Sequence, residues 1–469
     1  MKIENNRHIE KQLSKILSLN NEFIYSNTWL QPVKLDTDNI KNNYNFIINF
    51  KLFEFISIIL KSFWEFSITL AKFFLSLINR KIQDNRKANI IILSHLLNEK
   101  GINEEEDFYF GFLQKNFSKK NFKCEKYFLN HTRINSKGNN LKTVLPKIDS
   151  LNIELQVIKI LFKLFCFSLL SVKKLIDKQV SISVILIFIL KIFSYHNQSS
   201  LRVALQLKQK IHEKNVKILF ITFEGHSYEK MIRLFNPNIK IISYQNTPIS
   251  PCQFSIKFFK KSLSPDIVLT KNSYYKNILI KNKSLESKII NFGNLTYKKV
   301  NPPKNKSKSN SILFIPEGTF NEVELMINFI KKNFYRLPRY KFIIRFHPIF
   351  PKRYINKYVK SLSNAENVFF SKNSIDDDLK ENSFVVYRGS SLIFNSIYMG
   401  LIPIYLNYGI NVDILDLLNL NKKYVIDFKK PLTYNFIKNL RFSNHYSSMI
   451  KNYFESPKYK VLFNQLINE

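Results

Sequence analysis

A chain of 469 residues with 45% hydrophobic and 14% aromatic positions can bury more than one core, which excludes a disordered chain and suits two domains with extra segments. The formal net charge of +37 is spread along the chain as lysines accompanied by asparagines, not gathered into one basic stripe. With no helix-turn-helix, zinc-finger or RNP-type pattern beside it, that charge predicts no nucleic-acid partner; it reads first as a compositional background on solvated faces, with attraction to an anionic inner-leaflet surface as the alternative. Three widely spaced cysteines, Cys124, Cys166 and Cys252, match no metal-ligand spacing and argue for a reducing compartment. The opening MKIENNRHIEKQLSK lacks the apolar stretch of a signal peptide, so the expected location is cytoplasmic, with peripheral attachment to the inner face of the membrane as the variant.

Residues 1–85 read as a helical N-terminal segment. From Phe46 to Ile78 the chain is rich in Phe, Ile and Leu, but Lys51, Glu54, Lys61, Glu65 and Lys72 interrupt any run of about 20 apolar residues, so amphipathic helices are expected instead of a span. Residues 86–300 read as a first Rossmann-like domain. Its strands are expected at Asn89–Ser94, around Lys126–Leu129, and at Val216–Phe223, Ile239–Tyr244, Asp266–Thr270 and Lys288–Phe292. A helical insertion at about 150–200 carries the eleven-residue apolar run Val180–Leu190, too short to cross a bilayer.

Residues 301–310, polar and bearing two prolines, read as a linker, and 311–469 as a second Rossmann-like domain. Its strands are expected at Ser311–Ile315, Phe342–Phe346, Val368–Ser371, Phe384–Tyr387, Pro403–Leu406 and Tyr424–Phe428, with a helix over Glu322–Lys332.

Only nine glycines occur, and Gly225, Gly318 and Gly389 each follow a strand, where backbone approaches ligands in open α/β sheets. His347 and Pro348 end a strand that also carries Arg345; the proline fixes the turn, the imidazole can meet a phosphate or ribose, and the guanidinium adds charge. Gly389-Ser390-Ser391 joins a strand to a helix start, a second place for phosphate oxygens, with N-capping by Ser390 as the competing role. Glu317, Gly318 and Thr319 close the first strand of the second domain. Glu224 and His226 flank Gly225 at a strand end and are the candidate general base, either residue serving. Gln245 and Asn246 end the next strand and are candidates to line a ligand pocket. No Asp-x-Asp pair marks a metal site, and Asp376-Asp377-Asp378 reads as a helix-capping cluster, so metal-independent chemistry without a cofactor is expected.

The combination of His347-Pro348, Gly389-Ser390-Ser391 and Met399-Gly400-Leu401-Ile402-Pro403-Ile404 resembles the donor domain of bacterial GT-B glycosyltransferases, and within them sialyltransferases, polysialyltransferases and surface-polysaccharide enzymes. Teichoic-acid polymerases of the glycerophosphotransferase kind have a similar layout but follow the serines with an acidic residue, where this chain has Asn395. The stretches Ile92–Leu96, with His95, and Phe223–His226 are similar to surface-carbohydrate biosynthesis proteins. The resemblance covers roughly 89–410. It implies two Rossmann-like domains facing a cleft, with a nucleotide-sugar donor held by Glu317, Gly318, Thr319, Arg345, His347, Pro348, Gly389, Ser390 and Ser391. CMP-linked nonulosonic acid or Kdo is the donor it suggests. On the acceptor side it implies His95, Gln245 and Asn246 receiving a glycan or lipid-linked glycan, with inverting transfer. The alternatives are a non-catalytic, membrane-associated scaffold of polysaccharide assembly and a glycerophosphotransferase-like polymerase.

Overall fold

The computed structural model describes residues 11–19, 21–26, 52–78, 87–96, 106–130, 144–146, 148–249, 253–295, 309–348, 350–408, 413–415, 424–443, 446 and 453–467. Most of the expected linker 301–310, and Cys252, Gly101, Gly138 and Gly409, lie outside them.

The first unit carries six parallel strands: β1 (Ile90–Leu96), β2 (Cys124–Asn130), β3 (Ile218–Thr222), β4 (Lys240–Gln245), β5 (Ile267–Thr270) and β6 (Lys288–Asn291), in the order β2-β1-β3-β4-β5-β6. The second carries β7 (Ser311–Phe314), β8 (Lys341–Ile344), β9 (Val368–Phe370), β10 (Phe384–Tyr387), β11 (Ile402–Asn407) and β12 (Tyr424–Asp427), in the order β12-β11-β10-β7-β8-β9. All twelve strands fall where the apolar, β-branched runs place them. Such runs suit strands covered on both faces, and β1 and β7 are buried along their whole length. The expected α/β class, with two doubly wound units and extra apolar helices, is therefore the observed one.

The winding direction reverses once in each sheet. In the first it reverses between β1 and β3, in the second between β7 and β10. At such a reversal the flanking crossovers leave in opposite directions and open a crevice at the carboxyl ends of the strands, where ligands bind in open α/β sheets.

Two features depart from the sequence reading. The chain end does not stay with the second unit. Residues 456–469 belong to the first, because the Tyr459–Ile467 helix buries Leu462 and Phe463 among Ile90, Phe110, Phe117 and Phe220. The backbone N–H of Lys458 also donates to the Phe292 carbonyl at 2.8 Å. The helical insertion, expected to close near 200, runs on through Tyr195–Lys214. That helix contributes Arg202, whose two nitrogens grip the buried Glu154 carboxylate at 2.6 and 2.8 Å. The N-terminal segment packs on this unit too: Phe23 meets Phe235 with ring centroids 6.3 Å apart, and Gln198 donates to the Glu65 carbonyl at 3.1 Å. No single helix among the described residues is long and apolar enough to cross a membrane.

Candidate active site

In the first unit the chemistry gathers at the reversal between β1 and β3. His95 is the penultimate residue of β1, and Thr222 closes β3. Glu224, Gly225 and His226 form the following turn, and Ser227–Phe235 is the next helix. Gly225 has φ of +81°, and a Cβ there would meet the Ser255 side chain, with the Ser255 Cβ at 2.9 Å. Only glycine fits both conditions. Gly225→Ala is expected to destabilise the protein by about 1–3 kcal/mol, checked by denaturant unfolding.

Glu229 fixes this turn from behind. Its carboxyl accepts from the Glu224 N–H at 3.1 Å, the Gly225 N–H at 2.9 Å and the Thr222 hydroxyl at 3.1 Å. Burial pushes it up to about 7, against the opposing pull of the His226 charge and of these amide bonds. Held this way, the turn sets His226 Nε2 at 3.2 Å from Glu224 Oε2. The two partners differ in access: 29% of the His226 side chain is exposed against 7% for Glu224. Burial alone would lower the His226 value; the hydrogen bond to Glu224 and the charges of Glu229 and Glu224 outweigh it and raise the imidazole above its ordinary range. The result is a carboxylate–imidazole pair in which the imidazole reaches solvent and the carboxylate orients it.

His95 stands beside the pair, its ring centroid 5.6 Å from that of His226. Its Nε2 lies 3.0 Å from the Tyr228 hydroxyl and 3.4 Å from Thr222 Oγ1. Tyr228 in turn stacks on His226 at 5.2 Å. Tyr109, from the irregular stretch after β1, packs on His95 with ring centroids 4.7 Å apart. The ligand-type atoms of His95, Glu224 and His226 all lie within 4.8 Å of one another, a donor set suited to a borderline divalent cation such as zinc. The structure thus joins three predicted residues and adds Thr222, Tyr228, Glu229 and Tyr109, which carry no sequence signature. Gln245 ends β4 as expected but is fully buried, its side-chain oxygen accepting from the Lys271 N–H at 3.3 Å; Asn246 after it is half-buried.

In the second unit the loops after β7 and β10 flank the reversal. Gly318 lies against the imidazole of His347, so close that a Cβ there would stand 3.1 Å from Nδ1. Two motifs that sequence reading treats separately are thereby one surface. Glu317 is half-buried, Thr319 is the N-cap residue of the Phe320–Asn333 helix, and Pro348 is exposed. Gly389 and Ser390 are buried, whereas Ser391 is exposed. Ser391, not Ser390, is the cap residue of the Leu392–Tyr398 helix, and its hydroxyl makes no capping bond. Arg345 takes a different role from the one its position suggests. It pairs with the buried Asp378 carboxylate at 2.6 Å and donates to the Asn373 carbonyl at 2.9 Å, so its charge is matched inside the unit. Asp376 and Asp377 lie in the first turn of the Ile375–Glu381 helix, whose N-cap is Ser374, as a capping cluster should.

Arg388 is the residue that sequence reading passes over. It is fully buried at the end of β10, donating to Glu322 Oε2 at 3.1 Å and to the Leu406 carbonyl at 3.0 Å. It therefore ties β10 to β11 and to the helix that follows β7, fixing both walls of the crevice.

No protein-family model matches this chain. No curated protein matches it either. Among solved structures it is similar to an S. aureus TarM variant crystallised with UDP, at 15% identity over 54% of this chain and 52% of that one, TM-score 0.32. It thus spans about half the length of that protein. It is also similar to MurG of Acinetobacter baumannii, at 7% identity over 81% of this chain and 100% of that one, TM-score 0.41. The lipopolysaccharide outer core galactosyltransferase WaaB gives 12% identity over 81% and 99%, TM-score 0.37.

Proposed function

We propose that the protein is a glycosyltransferase of GT-B type that moves a sugar from a nucleotide-activated donor to a glycan or lipid-linked glycan acceptor, without a metal and with inversion. The observation that carries this reading is that both sets of candidate residues stand at the reversal points of their own sheets: His95, Glu224 and His226 in the first, and the loops bearing Gly318 and Ser390 in the second.

In the second unit, Gly318, His347, Gly389, Ser390 and Ser391 receive the nucleotide diphosphate or monophosphate, with Glu317 and Thr319 reaching ribose or base and Pro348 fixing the His347 turn. Arg345 acts from a distance, by holding Asp378 and the Asn373 loop. In the first unit, His226 accepts the proton of the acceptor hydroxyl through Nδ1 while Glu224 holds Nε2 and stabilises the imidazolium as it forms. The oxygen so released attacks the anomeric carbon of the donor, and the nucleotide leaves with the bonding pair. His95, Gln245 and Asn246 shape the acceptor side. A CMP-linked nonulosonic acid or Kdo is the donor class this proposal favours, from the His-Pro and Ser-Ser pairs.

The test is turnover of a panel of CMP-, UDP-, GDP- and dTDP-sugars in the presence of chelator, read as nucleotide release. One donor class is expected to turn over. A panel that stays intact, with folded protein and membrane-extract acceptors present, counts against the reading. Turnover that stops in chelator and returns with zinc would move His95, Glu224 and His226 from proton transfer to metal ligation.

A further inference from the structure

The Leu52–Ser76 helix is built inside out. Its polar residues Ser62, Glu65, Thr69, Lys72 and Ser76 recur every three or four positions, which places them on one face, and that face is the buried one. Protein groups receive it: Gln198 donates to the Glu65 carbonyl at 3.1 Å, and the Lys72 ammonium lies 4.4 Å from the centre of the Tyr195 ring. The opposite face, with Ile56, Leu60, Phe63, Trp64, Phe74 and Leu75, is turned outward; Phe63 and Trp64 are 67% and 68% exposed. A helix on a water-facing surface has the reverse arrangement.

The neighbouring Leu151–Leu170 helix, whose buried face is mainly apolar, also turns apolar residues outward. Leu155, Phe162 and Leu169 share a stripe at helical spacing with Lys159, and all are exposed. Charge completes the picture. Among the described side chains of these two helices and of Val172–Asp177, the exposed charged ones are Lys61, Lys159, Lys163, Lys173 and Lys174, against Asp177 alone. Outward aromatics and leucines flanked by lysines match the acyl–headgroup boundary of an anionic bilayer, where apolar side chains enter and ammonium groups meet lipid phosphates. The polar inner face keeps the helix on the protein, so it lies along the surface.

We infer that this face docks the protein onto an anionic lipid surface, through Leu60, Phe63, Trp64 and Phe74 with Lys159 and Lys163 beside them. The inference is independent of the transfer reaction proposed above. Trp64 is its natural reporter, because the chain has only one other tryptophan, Trp29.

The experiment uses the full chain with Trp29→Phe and vesicles containing about 30 mol % phosphatidylglycerol in phosphatidylcholine. Sedimentation with the vesicles is expected, together with a blue shift of Trp64 emission. Binding should fall by about tenfold or more in Phe63→Glu/Trp64→Glu, and also when phosphatidylglycerol is omitted. Because both residues are exposed, that variant should keep the parent's melting temperature, measured alongside. The inference is overturned if vesicles do not bind the protein or if binding survives the double substitution. It is equally overturned if Trp64 emission stays unshifted in the bound state, or if light scattering shows a dimer that the same substitution dissolves, which would assign the face to a second copy.

Discussion

His226→Ala is expected to lower kcat by about 10²–10⁴-fold with the fold retained, the loss typical of removing a positioned general base. The companion substitution, Glu224→Gln, separates base from orienter. In the parent the His226 value is raised, partly by the hydrogen bond and charge of Glu224. A base works only when neutral, so activity should rise with pH through that raised value and be lost below it. Removing the Glu224 charge lowers the His226 value, so the acidic limb of the pH–rate profile should move to lower pH in Glu224→Gln. An unmoved limb would mean that the titrating group in turnover is not His226. Direct service of Glu224 as the base would appear instead as a loss in Glu224→Gln at every pH as large as that in His226→Ala.

The second large effect concerns stability. Glu322→Ala removes the carboxylate that accepts from Arg388 Nε at 3.1 Å, so a fully buried guanidinium loses an anionic partner. Breaking a buried ion pair by removing one partner costs about 3–5 kcal/mol, so denaturant unfolding should show a loss of that size. Replacing both partners, Glu322→Leu with Arg388→Met, should recover most of it, since an apolar pair of similar volume needs no charge compensation. Equal losses in the single and double variants would show that Arg388 matters through packing instead of through its ion pair. Because the pair ties the helix after β7 to β10 and β11, both variants should also weaken nucleotide binding.

How much of this was legible in the sequence follows from which forces are local. The strands were legible because a parallel strand covered on both faces must be an unbroken apolar run, as Ile90–Leu93 and Phe384–Tyr387 are. Gly225 was legible as a position where no other residue would do, and its φ of +81° is the reason. The juxtaposition of His95 with Tyr228 was not, since it joins residues 133 positions apart through the neighbouring placement of β1 and β3. Arg345 looked like a phosphate ligand because its partner, Asp378, sits 33 positions away inside an acidic run that reads as a cap. The chain end was misplaced for a similar reason: nothing local says that Leu462 and Phe463 complete the core around Phe117 and Phe220. Arg388 did leave a trace. A lone arginine directly after the buried Phe384–Tyr387 strand needs a partner, and Glu322 in the first turn of a facing helix supplies it.

The proposed transfer requires the second unit to hold an activated nucleotide at the reversal of its sheet. Calorimetric titration of the purified chain with CMP, CDP, UDP and GDP measures this directly. Saturable binding of one base class is expected, reduced by about tenfold or more in His347→Ala and in Ser390→Ala at unchanged melting temperature, the effect of losing one charge-assisted or phosphate-directed hydrogen bond. Heats indistinguishable from dilution for every nucleotide, or binding that both variants leave intact, would contradict it.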